Sequence, residues 1–439
     1  MDGKQSDCAA ARPDLPWIAA LFAAGFSLCA LWIVVNPQRP TPDASLYESI
    51  GANLAAGNGF SHDSGPPYRP ELTRTPLVPG LTAVVYSALG REPAALLWIN
   101  ALLVAGALVL GYLAALRLFH DRAAALAGSV IALVTPPVAG AVNNVLTEAP
   151  AMFQVALAAV LLLGWRDRRR RPRAWLGAGA IGLVLASLVL NRPAFAPAAL
   201  IAAAWVGLTG LAGAWRARSA WIPILALAVA LGAPVLAWSA RNASVGLPFS
   251  PAPVGGAASR VYDLGRWARQ LGDPPVRLPE VNRAFFDHWK RPRGPQELIE
   301  LDRANGAWLD DWLVENGDRW ARVLPARLLG LFSDFRISIW PPWDGRRYDR
   351  VLWPILAWIS RGLWLLSLLG FVATFRRPAA RWIWLGALVP LVAIHAASVC
   401  NPRYLTPLLP LLMPYGGAAI LWIWRRAAGV YERARSFTP

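Results

Sequence analysis

The sequence predicts an all-α polytopic membrane protein of about ten transmembrane helices, and three observations carry that reading. Apolar segments of spanning length, about 20 residues, recur along most of the 439-residue chain. Only 16% of residues are charged, against about 25% in a soluble domain. Arginine clusters fall at every second segment end: Arg117/Arg122, the run 165–173, Arg216/Arg218, Arg376/Arg377/Arg381 and Arg425/Arg426. Positive charge beside span ends marks the cytoplasmic side. The opposite ends carry isolated polar residues, so the two faces differ in kind.

Span 1 covers 15–36. Its apolar run is long for a signal peptide and no small-x-small cleavage pattern follows, so an uncleaved helix with a cytoplasmic N-terminus is expected. An outer segment then runs over 37–92. Within it, 45–56 has helical spacing and a Gly57-Asn58-Gly59 stop. Residues 76–89 are apolar but too few to cross a core that needs about 20. A crossing there would also put every later arginine cluster on the wrong side, so this piece reads as an interfacial or re-entrant helix. Spans 2 to 7 follow at 93–116, 123–141, 149–165, 175–190, 194–214 and 220–239. Residues 241–350 form one long polar stretch, mainly helical and extracytoplasmic, with helical pieces at 296–318 and an amphipathic one at 320–337. Spans 8 to 10 lie at 351–375, 382–400 and 404–424. Three regions result: an N-terminal membrane module (1–240) with its first-loop segment 37–92, an outer segment (241–350), and C-terminal helices with a cytoplasmic tail (351–439).

Composition excludes several functions. The net charge of +17 sits at helix ends, where anionic lipid headgroups offset it, so no nucleic-acid partner is expected. Cys8, Cys29 and Cys400 lack metal-ligand or disulfide spacing. His62, His120, His288 and His395 are scattered, so no metal site is expected. Many of the 23 tryptophans lie near span ends, as in interfacial belts.

The polar residues of the outer face form a pattern. Asp43 and Tyr47 lie just beyond span 1. Arg74, in Thr73-Arg74-Thr75-Pro76, opens the short apolar helix. Glu148 begins span 4, Arg192 lies in Asn191-Arg192-Pro193 between spans 5 and 6, and Arg403-Tyr404 lies between spans 9 and 10. These groups are distant in sequence, yet the topology places all of them at one membrane surface. Each also has a plain structural reading. Asp43 could cap a helix, Arg74 could snorkel to headgroups, Glu148 could be solvated at a span end, and Arg403 could pair with an acid such as Glu148. Tyr47 could simply pack, and Arg192 could be an ordinary loop charge.

The segments PDASLYESIGANLAAGNGF, RTPLVPGLTAVVYSALG, VLTEAPAMF, LNRPAF and CNPRYLTPLLP, in this order over about Asp43 to Tyr404, resemble the GT-C glycosyltransferases that use polyprenyl-phosphate sugar donors. The groups they are most similar to are the protein O-mannosyltransferases, the lipid A aminoarabinose transferase and the rhizobial core-sugar transferases. The resemblance implies a base or acceptor-positioning group at Asp43 and a second acid at Glu148. It implies substrate contacts from Tyr47, Arg74, Arg192, Arg403 and Tyr404. Relatives often carry a second acid directly after the first; here that position is Ala44, against a two-acid metal site. No cofactor is required, and a divalent cation stays an open alternative. The implied partners are a polyprenyl-phosphate-linked sugar donor, an envelope glycan, lipid or protein acceptor, and membrane lipid. The implied location is the bacterial inner membrane, with the site facing the periplasm or cell exterior.

The chemistry fits independently. Breaking an anomeric C–O bond passes through an oxocarbenium-like transition state. A phosphate leaving group needs cations rather than a general acid, and arginine's planar fork suits it. A transporter or lipid flippase is the alternative from another class, but it would place ionisable groups near the bilayer midplane, where spans 2 to 10 carry almost none. A lipid-diphosphate-dependent glycan ligase would share the architecture.

Overall fold

The computed structural model describes residues 15–35, 40–169, 171–212, 218–270, 276–287, 293–332 and 346–436. Every regular element among them is helical. In order these are α1 (Leu15–Val35), α2 (Pro42–Ala55), α3 (Leu77–Leu89), α4 (Pro93–Phe119), α5 (Arg122–Val134), α6 (Pro136–Gly140), α7 (Glu148–Arg168), α8 (Ala174–Asn191) and α9 (Ala196–Leu211). Then come α10 (Arg218–Ser244), α11 (Gly256–Gln270), α12 (Glu280–Phe286), α13 (Pro295–Glu315), α14 (Gly317–Leu331), α15 (Arg346–Thr374), α16 (Pro378–Ile383), α17 (Val389–Ala397) and α18 (Leu409–Ser436). A π-helical turn, Trp384–Leu388, joins α16 to α17.

Among the described residues, nine helices are long and apolar enough to cross a membrane. The expected polytopic all-α architecture is therefore present. Large apolar side chains face outward as well as inward, among them Leu208, Trp358 and Val372. Such a surface suits lipid, where spans have no reason to hide apolar side chains.

The third expected span differs in detail. Residues 123–141 do not form one rod: α5 is 13 residues long and gives way to the five-residue α6. The cause is Pro136-Pro137, which cannot supply the N–H groups a continuing helix needs. The broken pair still runs the length of its neighbours. Asp121, which caps α5, meets Arg425 at one end of the bundle, and Asn144 reaches the candidate site at the other.

The first-loop segment matches its expected pieces. Thr41 caps α2 by accepting from the Ala44 N–H at 3.2 Å, and Pro42 starts the helix with φ already set. The helix ends at the glycine stop, where Gly57 takes φ +77°. The short apolar piece is α3, which packs against α2. In the outer stretch, Asn316 separates α13 from α14, so the expected piece 296–318 and the amphipathic piece meet at a break there. Residues 333–337 of the latter lie outside the described residues, as do 1–14 and Arg170.

The largest core joins α1, α4, α5, α7, α15 and α18. A smaller one joins α7, α8, α9 and α10. Helices α15 and α18 approach closely enough that a Cβ on Gly370 would fall 1.7 Å from the Tyr415 carbonyl oxygen. Small residues at such crossings let backbones touch where no hydrophobic effect drives helices together. The result holds the helix ends that carry the polar residues in fixed register.

Candidate functional site

All seven residues singled out from the sequence converge at one end of the bundle. Asp43 lies in the first turn of α2, where a carboxylate complements the helix dipole. Thr41 fills the capping role there, so the Asp43 carboxylate is turned to other partners. Arg74 Nη2 donates to its Oδ1 at 2.6 Å. Arg403 Nη2 donates to its Oδ2 at 3.3 Å.

Arg403 also reaches the second acid, with Nε 3.4 Å from Glu148 Oε1. Arg192 completes the row: its Nη2 donates to the same Oε1 at 2.5 Å, and its Nε donates to Thr147 Oγ1 at 2.6 Å. The charges thus alternate as Arg74, Asp43, Arg403, Glu148, Arg192, and their sum is +1 (three cations less two anions). Tyr47 lies under the Arg74 guanidinium at 5.7 Å. The Tyr404 ring faces both Arg192 at 5.3 Å and Arg403 at 5.5 Å.

Local sequence explains each placement. Glu148 is the first residue of α7, again at the positive end of a helix dipole. Arg192 precedes Pro193, which excludes the helical conformation at that position; its φ of −144° and ψ of 102° end α8 and lift the side chain out of the helix. Asn191 fixes that end by donating to Thr147 O at 3.1 Å and to Gln154 Oε1 at 3.0 Å. Thr75 Oγ1 donates to Asn191 O at 2.9 Å, tying the start of α3 to the same point. Arg403 and Tyr404 sit on a short 3-10 turn between α17 and α18, steadied by an Arg403 N–H bond to Asn401 Oδ1 at 3.1 Å.

The electrostatics favour anions. Burial pushes the Asp43 carboxyl up, but the Arg74 and Arg403 charges and hydrogen bonds outweigh it and hold the group below the usual carboxylate range. Burial likewise works against the Arg403 charge, yet Glu148, Tyr404 and Asp43 raise its proton affinity above the ordinary arginine value. Burial pushes the Tyr47 hydroxyl up, so it stays neutral. Arg192 is 8% and Glu148 5% exposed. Buried Arg192 Nη1 and Glu148 Oε2 find no hydrogen-bond partner among the described residues.

A divalent cation fits this donor set poorly. Both carboxylates already carry guanidinium partners, and Arg403 stands between them. No group of three or more His, Cys, Asp or Glu side chains suited to a metal occurs among the described residues.

Three supports were not legible in the sequence. His395 on α17 stacks on Tyr404 at 4.3 Å between centroids. On α11, Asp263 Oδ2 accepts from the Cys400 N–H at 3.0 Å and lies 3.2 Å from Arg327 Nη2. Arg327 and Arg266 donate to the carbonyls of Ser398 and Cys400, each at 2.6 Å. The outer helices thereby clamp the strand of chain that delivers Arg403. No spacing rule links positions 263, 327 and 400. Asp263, Arg266 and Arg327 stand among many other acids and arginines of the outer segment, so composition did not single them out.

Fold and site together define a polytopic membrane protein with a buried, anion-favouring charge row at one end of its helices. No family model and no curated protein matches the chain. Among solved structures it is similar to an oligosaccharyltransferase from Archaeoglobus fulgidus tethered with an acceptor peptide, at 13% identity and TM-score 0.46, over 93% of this chain and 50% of that one. It is also similar to ArnT from Cupriavidus metallidurans bound to undecaprenyl phosphate, at 15% identity and TM-score 0.39, over 92% and 78%. A third is the arabinosyltransferase EmbB from Mycobacterium smegmatis, at 16% and 0.37, over 91% and 40%. The chain spans about half the length of the archaeal protein.

Proposed function

We propose that the protein is an integral membrane glycosyltransferase that moves a sugar from a polyprenyl-phosphate donor to an envelope acceptor, with Asp43 as base. The observation that carries this reading is the row Arg74–Asp43–Arg403–Glu148–Arg192, in which Arg192 keeps a buried N–H group without an acceptor among the described residues. A phosphate is the ligand whose charge and oxygens complement such a row.

In this reading Arg192 and Arg403 bind the donor phosphate while the lipid tail lies along the apolar helices. An acceptor hydroxyl attacks the anomeric carbon from the opposite side. The new C–O bond forms as the old one breaks, the phosphate leaves with the electron pair, and Asp43 takes the hydroxyl proton. One displacement with one base gives inversion. No step runs through a metal. The working face is the periplasmic or outer face of a bacterial inner membrane, because the arginine clusters lie at the other end.

The test is sugar transfer in membranes carrying wild type or Asp43→Asn, supplied with labelled polyprenyl-phosphate sugars and native envelope acceptors. Loss of the base should lower transfer roughly 10²–10⁴-fold. Asparagine keeps the shape of the Asp43 side chain, which is 33% exposed, and correct membrane insertion of the variant is measured beside transfer. Undiminished transfer by Asp43→Asn would remove Asp43 as the base. Turnover only with diphosphate-linked glycans would favour a ligase instead.

A further inference from the structure

At the end of the bundle opposite the charge row, a cavity of about 450 Å³ opens between the ends of α4, α15 and α18 and the start of α5. That volume lies within the range of ligand pockets, roughly 300–1,000 Å³. Arg377, Arg425 and Arg426 line it, with Asp121 as the acid, which leaves a charge of +2 (three cations less one anion).

The three guanidiniums are held differently. Arg377 donates Nη1 to the carbonyls of Leu118 at 3.1 Å and Phe119 at 2.6 Å, closing the end of α4. Arg425 Nη2 donates to Asp121 Oδ2 at 2.7 Å and is 62% exposed. Arg426 lies 5.2 Å from the Trp422 ring, and among the described residues it has no carboxylate within ion-pair distance.

Depth and lining identify the occupant. The apolar part of α18 ends at Trp424, immediately before Arg425 and Arg426, and the candidate span on α15 ends at Thr374; span ends lie at the depth of a bilayer's phosphates. The rest of the lining is largely apolar, with Leu421 and Trp422 among it. Cations at headgroup depth above an apolar wall match a phosphate ester joined to acyl chains, whereas a free phosphate would use only the cations. An indole beside them is the side chain that favours this interface. Solvated charges that merely set topology have no need of a shared cavity.

We propose that this cavity binds the headgroup of an anionic phospholipid, one molecule of which bridges α4, α15 and α18. The proposal is independent of the reaction assigned to the other end.

The experiment is native mass spectrometry of the full chain in mild detergent, titrated with phosphatidylglycerol or phosphatidylethanolamine. It compares wild type, Arg426→Gln and the double variant Arg425→Gln/Arg426→Gln. A parallel arm follows thermal unfolding with inorganic phosphate alone. Wild type should retain phosphatidylglycerol in preference to phosphatidylethanolamine. Each arginine removed should weaken retention roughly five-fold, and the pair roughly 25-fold. Among the described residues Arg426 makes a ring contact and no ion pair, so the single variant keeps the test valid if the double variant unfolds. Equal retention of the two lipids, or equal retention by wild type and Arg426→Gln, would overturn the proposal. So would inorganic phosphate protecting wild type as strongly as the lipid does.

Discussion

Replacing Glu148 by glutamine preserves its shape and deletes one charge from the middle of the row. The carboxylate lies 2.5 Å from Arg192 and 3.4 Å from Arg403, and all but 5% of the residue is hidden from solvent. Removing one partner of a buried pair typically costs about 3–5 kcal/mol, because the other charge stays buried without compensation. The glutamine amide oxygen can still accept one bond from Arg192, which places the expected loss near the lower end, about 3 kcal/mol. That is roughly a hundred-fold in the unfolding equilibrium. The assay is reversible unfolding in mixed detergent micelles, followed by the fluorescence of the 23 tryptophans. The site charge rises from +1 to +2, so an added oxyanion supplies the missing negative charge and should stabilise Glu148→Gln more than wild type. An unchanged unfolding midpoint in Glu148→Gln would refute the claim that the row is a mutually compensated charge array.

Two further predictions concern stability. His62 and Glu71 form an ion pair in the first loop. Its hydrogen bond to Glu71 raises the His62 pKa, so its contribution is full below about 6.5 and is lost as pH rises through the raised value. Burial would raise Glu71, but His62 and Thr73 bring it down to about 2, so its contribution holds above 4.5 and is lost as pH falls toward 2. The pair should therefore add about 1.5–3 kcal/mol between those limits. The gap between wild type and His62→Gln should close above neutral pH; a gap independent of pH would refute the pairing. At the α15–α18 crossing, Gly370→Ala should destabilise by about 1–3 kcal/mol or more, since its Cβ would meet the Tyr415 carbonyl. Gly362→Ala, where a Cβ meets nothing within 4 Å, should be neutral or gain up to about 1 kcal/mol. Equal effects at both positions would show that backbone contact does not set this crossing.

Hydropathy and arginine placement made the helices legible because both depend on local composition: a span must be apolar for about 20 residues, and its flanks carry their own charge signal. The limits of that logic show at α5, where the apolar run 123–141 is continuous by composition but Pro136-Pro137 divides it. The meeting of the candidate residues was legible for a second reason. Topology alone forces Asp43, Glu148, Arg192 and Arg403 to one surface, whatever the packing. It does not dictate which acid meets which arginine. The structure settles that, putting Arg403 between the two acids rather than on Glu148 alone. The Asp263–Arg327–Cys400 clamp was illegible because its members meet only through tertiary packing.

Five buried or half-buried charges are a poor way to gain stability, since hydrophobic residues of similar volume usually do as well or better. Their arrangement makes sense if the cations must stand ready for an anion and need counter-charges until it arrives. On the proposed reading this has a consequence for Asp43 as base. Arg74 and Arg403 hold the Asp43 carboxyl below its usual range, which keeps it ionised but makes it a weak proton acceptor. A donor phosphate that draws Arg403 away removes one of those two cations, and the proton affinity of Asp43 rises toward the ordinary value. Donor binding and base strength are then coupled. The acid limb of the pH profile for kcat, which reports the donor-bound enzyme, should lie at higher pH than the limb for kcat/KM, which reports the free enzyme. Acid limbs at the same pH, or in the reverse order, would show that Arg403 stays on Asp43 throughout the reaction and serves only to position it.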